Sequence, residues 1–164
     1  MIDRGMNTKS NTAAESDERF MRLALEEARK AGDRGEVPIG AVIVDEQQKI
    51  LAAAGNNCIG ESDPAGHAEM VAMRQAGKKT GNYRLLNTTV YVTIEPCVMC
   101  AGAMVHARVD RLVYGASDPK TGGVVSCYQV GGDGKLNHQL NVVGDVLAEK
   151  CAELLTSFFR KKRG

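Results

Sequence analysis

Apolar positions along the first third of the chain recur at helical spacing. A helix is predicted from Ser16 or Asp17, whose side chains can cap its start, to about Gly32. Its apolar positions recur at helical spacing, each with another three or four residues away: Phe20, Met21, Ala24, Leu25 and Ala28. Residues 1–15 are polar and show no periodicity, which predicts a mobile N-terminal tail before a single domain over residues 16–164.

Short runs of β-branched and small apolar residues predict the strands. Residues 40–45 and 49–54 flank a polar turn and predict a hairpin. Residues 89–94 are typical of a buried strand, and 111–114 and 141–143 predict two more short strands.

Helical segments alternate with these strands. One is predicted to begin near His67, and another to run from Cys97, opened by Pro96, to about Ala107. The last is amphipathic and ends in a basic run at Arg163. Alternating strands and helices predict an α/β fold of three layers.

Composition limits the class of protein. The chain has 164 residues, a formal net charge of +1 and 43% hydrophobic residues, which fits one globular domain without a general bias toward nucleic acid. Five cysteines at irregular spacing argue against a disulfide framework. The start lacks the apolar core of a secretory signal, and no apolar run approaches the ~20 residues that span a bilayer. The composition thus predicts a reduced, cytoplasmic protein.

Two short motifs contain candidate catalytic groups, His67-Ala68-Glu69 and the stretch from Pro96 to Cys100. Cys97 and Cys100 lie three residues apart at a predicted helix start, so their sulfurs share a face and the positive helix end favours thiolates. Together with the His67 imidazole they suit Zn²⁺ and leave a fourth position for water. Glu69 is predicted to move protons beside that position.

Each motif alone permits another function. A CxxC pair is also typical of a thioredoxin-like redox site or of a structural zinc site. A structural site would take its fourth ligand from the protein, and the remaining candidates are Cys58, Cys127, Cys151, His106 and His138. None of these stands at a recognisable spacing from the two motifs. The joint pattern, H-x-E followed by P-C-x-x-C, predicts a zinc deaminase.

Longer stretches extend this pattern. They are residues 36–41, 56, 63–64, 82–85, 95–108, 115–118, 120–122 and 158–160. With these motifs the chain, from about residue 17 to its end, resembles bacterial tRNA-specific adenosine deaminases of the TadA type, within the cytidine deaminase-like superfamily. One departure is Ala65-Gly66, where the family often has Thr-Ala, and this glycine predicts a looser approach to His67.

The resemblance implies a fold, a cofactor and an assembly. The fold is a three-layer α/β/α sandwich with a central mixed five-stranded sheet, and the protein is a homodimer with one Zn²⁺ per subunit. His67, Cys97 and Cys100 are implied as the zinc ligands, and Glu69 as the catalytic acid–base.

The resemblance also implies how the substrate is held. Asn56 is implied to hydrogen-bond the purine through its side-chain amide, which offers both a donor and an acceptor. From the sequence alone, the preferred interpretation of Asn56 is instead a turn residue with left-handed backbone. The backbone N–H of Ala68 is a further candidate contact to the base. The implied target is wobble adenosine 34 in the anticodon loop of tRNA-Arg.

Two basic or loop segments are candidate RNA contacts. The C-terminal candidates are Phe159, Arg160, Lys161, Lys162 and Arg163. Asp118 and Lys120 are candidates in the glycine-rich stretch before them. The alternative is that the aromatic residues pack in the core or a dimer interface and that the charges are only solvated. A deaminase of free guanine, cytosine or a nucleotide would share the zinc site but would need neither segment.

Overall fold

A computed structural model describes the backbone of residues 6–164 and the side chains of residues 12–164. The helices are α1 (Met6–Asp33), α2 (Ala68–Thr80), α3 (Val98–His106) and α4 (Ala148–Arg163). The strands are β1 (Gly40–Val44), β2 (Ile50–Gly55), β3 (Thr89–Ile94), β4 (Arg111–Ala116) and β5 (Asn141–Val143). No helix in this described part combines the length and apolarity needed to cross a membrane.

The strands form one mixed sheet in the order β2-β1-β3-β4-β5. β1 pairs antiparallel with both β2 and β3, whereas β3, β4 and β5 run parallel. The predicted hairpin of β1 and β2 is therefore confirmed. The parallel half needs crossover connections, which the chain supplies as α3 and the long segment after β4.

Helices cover both faces of this sheet. α1 and α4 pack on one face, and α2 and α3 on the other. In β1, Ala41 and Ile43 belong to the core under α2 and α3, while Val42 and Val44 belong to the core under α1 and α4. Because both faces are buried, the strand is apolar at every position rather than alternating. The predicted three-layer α/β/α sandwich with a five-stranded mixed sheet is confirmed.

The first helix begins earlier than the sequence predicts. α1 starts at Met6, ten residues before Ser16, so residues 6–15 are helical. The prediction was wrong because missing apolar periodicity was equated with missing helix, whereas no glycine or proline interrupts residues 6–31. Residues 1–5 of the predicted mobile tail lie outside the described residues.

Asp17 does not cap this helix, contrary to prediction. It lies inside α1 with its carboxylate buried, and it accepts two hydrogen bonds of 2.6 Å from the Arg111 guanidinium. The Tyr91 hydroxyl donates a third, at 2.9 Å. Burial and the Asp17 charge raise the pKa of Tyr91. This cluster ties α1 to the middle of β3 and to the start of β4.

Candidate metal centre and active site

The functional motifs meet at one edge of the sheet. At this edge β1 begins, and β2, β3 and β4 end, as the pairings of Gly40 with Gly55 and of Ile94 with Ala116 show. We call it the site edge. Ligands of open α/β sheets bind beyond the carboxyl ends of parallel strands, which is where β3 and β4 end here.

Three candidate metal ligands converge at the site edge. The Nδ1 atom of His67 lies 3.6 Å from the Cys97 Sγ and 3.5 Å from the Cys100 Sγ. All three donor atoms lie within 4.8 Å of one another. His67 is the residue before the first turn of α2, and Cys97 holds the same position before α3. The predicted helix start near His67 is confirmed, while Pro96 precedes the cap of α3 rather than its first turn.

The two cysteines of this cluster differ in acidity. Interaction with the Cys100 side chain and with His67, whose Nδ1 lies 3.6 Å from the Cys97 sulfur, lowers the pKa of Cys97 to about 4. The interaction with Cys97 and burial raise the pKa of Cys100. The hydrogen bond with Cys97 also raises the pKa of His67. The cluster thus already stabilises a thiolate, the protonation state that a metal ligand needs.

Glu69 lies in the first turn of α2 and is only 3% exposed. Burial raises the pKa of its carboxyl group, and hydrogen bonds from its own backbone N–H and from the Cys100 thiol act in the opposite direction. It does not belong to the three-donor cluster. A buried carboxyl group with a raised pKa, beside the candidate metal ligands, can both accept and return a proton.

Asn56 follows β2 and is fixed against the start of α2. Its Oδ1 accepts a 2.8 Å hydrogen bond from the N–H of Ala68, and the Arg34 guanidinium donates to its backbone carbonyl. Its φ angle is not positive, so the left-handed turn preferred from the sequence is wrong. The Ala68 N–H, predicted to face the base, instead has this partner inside the protein, because it is one of the unpaired donors of the first turn.

The Nδ2 group of Asn56 remains available to a ligand. No hydrogen bond from Nδ2 is found within residues 12–164, and no fully buried side-chain polar atom there lacks a partner. The Nδ2 donor therefore reaches solvent at the site. Because Oδ1 is occupied by the Ala68 N–H, Asn56 can donate to a base but has one acceptor lone pair already in use.

A second buried carboxylate holds the segment between Asn56 and His67. Glu36 accepts 2.8 Å hydrogen bonds from the N–H groups of Ile59 and Gly60. The sequence analysis gave Glu36 no role beyond its place in a family motif. Gly66, predicted to loosen the approach to His67, is buried and donates to the Asp63 carbonyl. A Cβ there would lie 3.0 Å from Asn57, so the position requires close backbone packing.

Asp118 and Lys120 lie in the segment after β4, at the site edge. The Asp118 carboxylate accepts hydrogen bonds from the N–H groups of Lys120 and Thr121 and from the Thr121 hydroxyl. It therefore shapes a turn that leaves Lys120 exposed. Glu95, at the end of β3, accepts hydrogen bonds from the same segment, a role that the sequence analysis missed.

The basic C-terminal residues lie on α4, across the sheet from α2 and α3. All of the candidates are exposed: Phe159, Arg160, Lys161, Lys162 and Arg163. A groove of about 300 Å³ between α1 and α4 is lined by Arg29, Pro38, Phe158 and Lys161. Pro38 stands just before β1, so the groove places the end of α4 at the site edge.

The other cysteines and histidines take no part in the metal cluster. Cys58, Cys127 and Cys151 are free thiols that lie outside the cluster. The imidazoles of His106 and His138 lie outside it too. Among the described residues, then, no fourth protein ligand closes the site. Cys97 and Cys100 are also free thiols rather than a redox disulfide. The arrangement favours a site with an open position for water.

Known proteins share this fold and these motifs. The cytidine and deoxycytidylate deaminase zinc-binding region matches residues 14–116. A tRNA-specific adenosine deaminase of Haemophilus influenzae is 52% identical over 150 residues, which are 92% of this chain and 87% of that protein. A structure from a study of A-to-I editing by tRNA:A34 deaminases superimposes with a TM-score of 0.81 at 43% identity, covering 84% of this chain and 99% of that one. The guanine deaminase of Bacillus subtilis gives a TM-score of 0.58 at 38% identity, over 61% of this chain and 64% of that one.

The sheet order, the open three-donor cluster and the buried glutamate define a deaminase of the cytidine deaminase-like class. Within that class, the chain belongs to the family of tRNA-specific adenosine deaminases. It is therefore an enzyme.

Proposed function

We propose that this enzyme converts adenosine to inosine in transfer RNA by hydrolytic deamination, at wobble position 34 of tRNA-Arg. The observation that supports the chemistry best is the buried carboxyl group of Glu69 beside three convergent metal-ligand atoms. The similarity to a tRNA-specific adenosine deaminase and to tRNA:A34 deaminases supports the substrate. A tRNA substrate places the proposed activity in the cytoplasm.

The residues of the cluster fit one zinc ion per subunit. One imidazole nitrogen and two sulfurs within 4.8 Å match the ligand set of a catalytic zinc site, and the lowered pKa of Cys97 favours the thiolate. When bound, zinc supplies a Lewis acid that lowers the pKa of water from ~15.7 to about 7.

Glu69 moves the protons of the proposed reaction. It accepts a proton from the attacking water and passes it to N1 of adenine, which makes C6 more electrophilic. The remaining water oxygen adds to C6 as hydroxide. Glu69 then takes the proton of the new C6 hydroxyl and delivers it to the amino group, so that the C6–N bond breaks, the C6=O bond forms and ammonia leaves. Water is consumed, inosine and ammonia are formed, and Glu69 returns to its starting state. Burial excludes competing solvent from this transfer.

Asn56 and Ala68 position the base in this proposal. The Asn56 Nδ2 group donates to an acceptor on the purine, while its Oδ1 stays bonded to the Ala68 N–H. Ala68 thus contributes by orienting Asn56 instead of by touching the base. An unpaired anticodon loop lets the adenine leave its stack at low energetic cost.

Exposed cations at the site edge are proposed to contact the RNA backbone. The double variant Lys161→Ala/Lys162→Ala should weaken anticodon stem-loop binding and flatten its salt dependence. Each lost phosphate contact removes roughly 0.7 from the magnitude of the slope of log K against log salt. Binding titrations at several salt concentrations measure the slope.

The matched control for this variant is Arg19→Ala/Arg22→Ala. It removes the same charge from exposed positions in the middle of α1, away from the C-terminal end of this helix, which lies near Pro38 at the site edge. Its salt slope should stay close to the wild-type value. Equal slopes for both double variants would leave the α4 cations without a specific RNA role.

Deamination of a free base is the competing function, and the similarity to a guanine deaminase supports it. The deciding assay incubates the zinc-loaded protein with a tRNA-Arg anticodon stem-loop, and separately with guanine, cytosine and adenosine. Inosine and ammonia from the stem-loop alone are the expected products. Efficient turnover of a free base with no product from the stem-loop would reject the proposed substrate.

We also propose that the enzyme is a homodimer that pairs through α2 and α3. A groove of about 490 Å³ between these helices is lined by apolar side chains that include Met70, Met73 and Ala103. Val98 and Met99 are exposed nearby, at the start of α3. An exposed apolar surface of this kind is typical of an interface. Sedimentation should give twice the 17.6 kDa subunit mass, and a monomer at micromolar concentration would contradict the proposal.

A further inference from the structure

Glu95 stands two residues before Cys97 and binds the segment that follows β4. The residue is 2% exposed, and both oxygens of its carboxylate accept hydrogen bonds. The donors are the N–H groups of Asp118, Val124, Val125 and Ser126 and the Ser126 hydroxyl. We call residues 117–128 the clamped loop. A buried charge with five donors is fully compensated, so the arrangement is stable and directional.

The backbone of the clamped loop lies directly on the start of α3. A Cβ on Gly122 would collide with the Glu95 carboxylate, and one on Gly123 would lie 2.7 Å from backbone atoms of Cys97 and Val98. The Gly123 N–H also donates to the Pro96 carbonyl at 2.7 Å. The loop therefore approaches the metal-ligand helix as closely as only glycine allows.

The hydrogen bonds continue from Glu95 to the exposed turn of the loop. Glu95 accepts from the Asp118 N–H at 3.1 Å, and the Asp118 carboxylate in turn accepts from the N–H groups of Lys120 and Thr121. A chain of two hydrogen bonds, with Asp118 in the middle, thus connects the Lys120 backbone to the Glu95 carboxylate.

We propose that Glu95 is a positioning residue that holds the clamped loop so that Lys120 meets a phosphate of the bound RNA. The inference rests on the proposed tRNA substrate and assigns a role that the metal chemistry does not require. Because the loop is tied to the residues around Cys97, the phosphate contact has a fixed place relative to the reacting base. Replacement of Glu95 should therefore weaken RNA binding, while the metal ligands and Glu69 keep their positions.

The test is a double-mutant cycle between Glu95→Gln and Lys120→Ala. Glutamine has nearly the same shape, but its NH₂ group faces N–H or O–H donors whichever way the amide is turned. Glu95→Gln should raise KM and Kd for the anticodon stem-loop about tenfold with kcat nearly unchanged, which is the signature of lost uniform binding. Zinc content should remain at the wild-type level. Lys120→Ala should weaken binding in the wild-type background but have little further effect in Glu95→Gln.

Two further variants separate positioning from folding. Asp17→Asn also removes a buried carboxylate, so it should lower Tm, but the effect of Lys120→Ala should be undiminished in that background. Ser126→Ala removes only one donor to Glu95 and keeps the carboxylate charge. It should show the same coupling with Lys120→Ala in a weaker form. If Glu95→Gln does not fold, Ser126→Ala takes its place in the double-mutant cycle.

The outcomes distinguish this inference from the proposed function. Reduced effects of Lys120→Ala in the Glu95→Gln or Ser126→Ala background support the positioning role. Equal effects in all backgrounds, or a loss of kcat without a change in KM, overturn it. A wild-type enzyme that makes no inosine from the stem-loop refutes the proposed substrate instead. Because the cycle is also measured on Kd, it gives a result in that case too.

Discussion

Glu69→Gln should lower the rate of inosine formation by about 10²–10⁴-fold, the usual contribution of general acid–base catalysis, while zinc stays bound. Glutamine fills the same buried space but cannot accept a proton from water. Because Glu69 is not part of the three-donor cluster, its replacement leaves all three ligands in place. Single-turnover kinetics on the stem-loop and metal analysis of the same sample measure the two quantities.

The control for this variant is Glu61→Gln. Glu61 is an exposed carboxylate in the segment between Asn56 and His67, so it reports the effect of losing a charge near the site without losing the buried acid. It should keep close to full activity. Near-normal turnover by Glu69→Gln would rule out the proton-transfer role.

Cys97→Ala and Cys100→Ala should each lose zinc as well as activity. Either change removes one of three protein ligands, so the affinity should fall by more than the about 10–100-fold that loss of an outer-shell partner costs. The two variants should behave alike, because both thiols belong to one cluster. Zinc content after dialysis against a weak chelator gives the direct measurement.

Cys151→Ala is the matched control for the ligand variants. Cys151 is a buried free thiol on α4, outside the metal cluster. Its replacement leaves a small cavity and lowers stability slightly, but it should retain zinc and turnover. If Cys97→Ala or Cys100→Ala retained zinc as Cys151→Ala does, the assigned ligand set would be wrong.

Much of the metal site could be predicted because its motifs are local. Two cysteines three residues apart at a helix start share a face in any α-helix, and Glu69 follows His67 by a fixed spacing. The strands could be placed because buried parallel strands are continuous apolar runs. These features depend on neighbours in the sequence, so the pattern alone contains them.

Contacts between distant segments could not be derived in the same way. The bond between Asn56 and the Ala68 N–H depends on how β2 ends beside α2, and spacing does not reveal it. Asp17 has the chemistry of a helix cap, yet its partner is Arg111, ninety-four residues away. A charged residue in a helix interior is a weak signal of such a pair, because most such residues are simply solvated.

Glu95 illustrates a signal that was present but not used. It stands next to Pro96 and ends an apolar strand, where a charged side chain is costly unless it has partners. That cost indicates a buried carboxylate with donors, although it does not say which segment supplies them. The glycines at 122 and 123 were the matching signal for a close backbone approach.

Four of the five hydrogen-bond donors to Glu95 in the clamped loop are main-chain N–H groups, which every residue except proline possesses. The outward side chains of this segment, such as Val125 and Tyr128, are exposed and are therefore free to diverge without releasing it. Substitutions at these outward positions can therefore change the chemical character of the loop surface while the attachment to Glu95 stays the same.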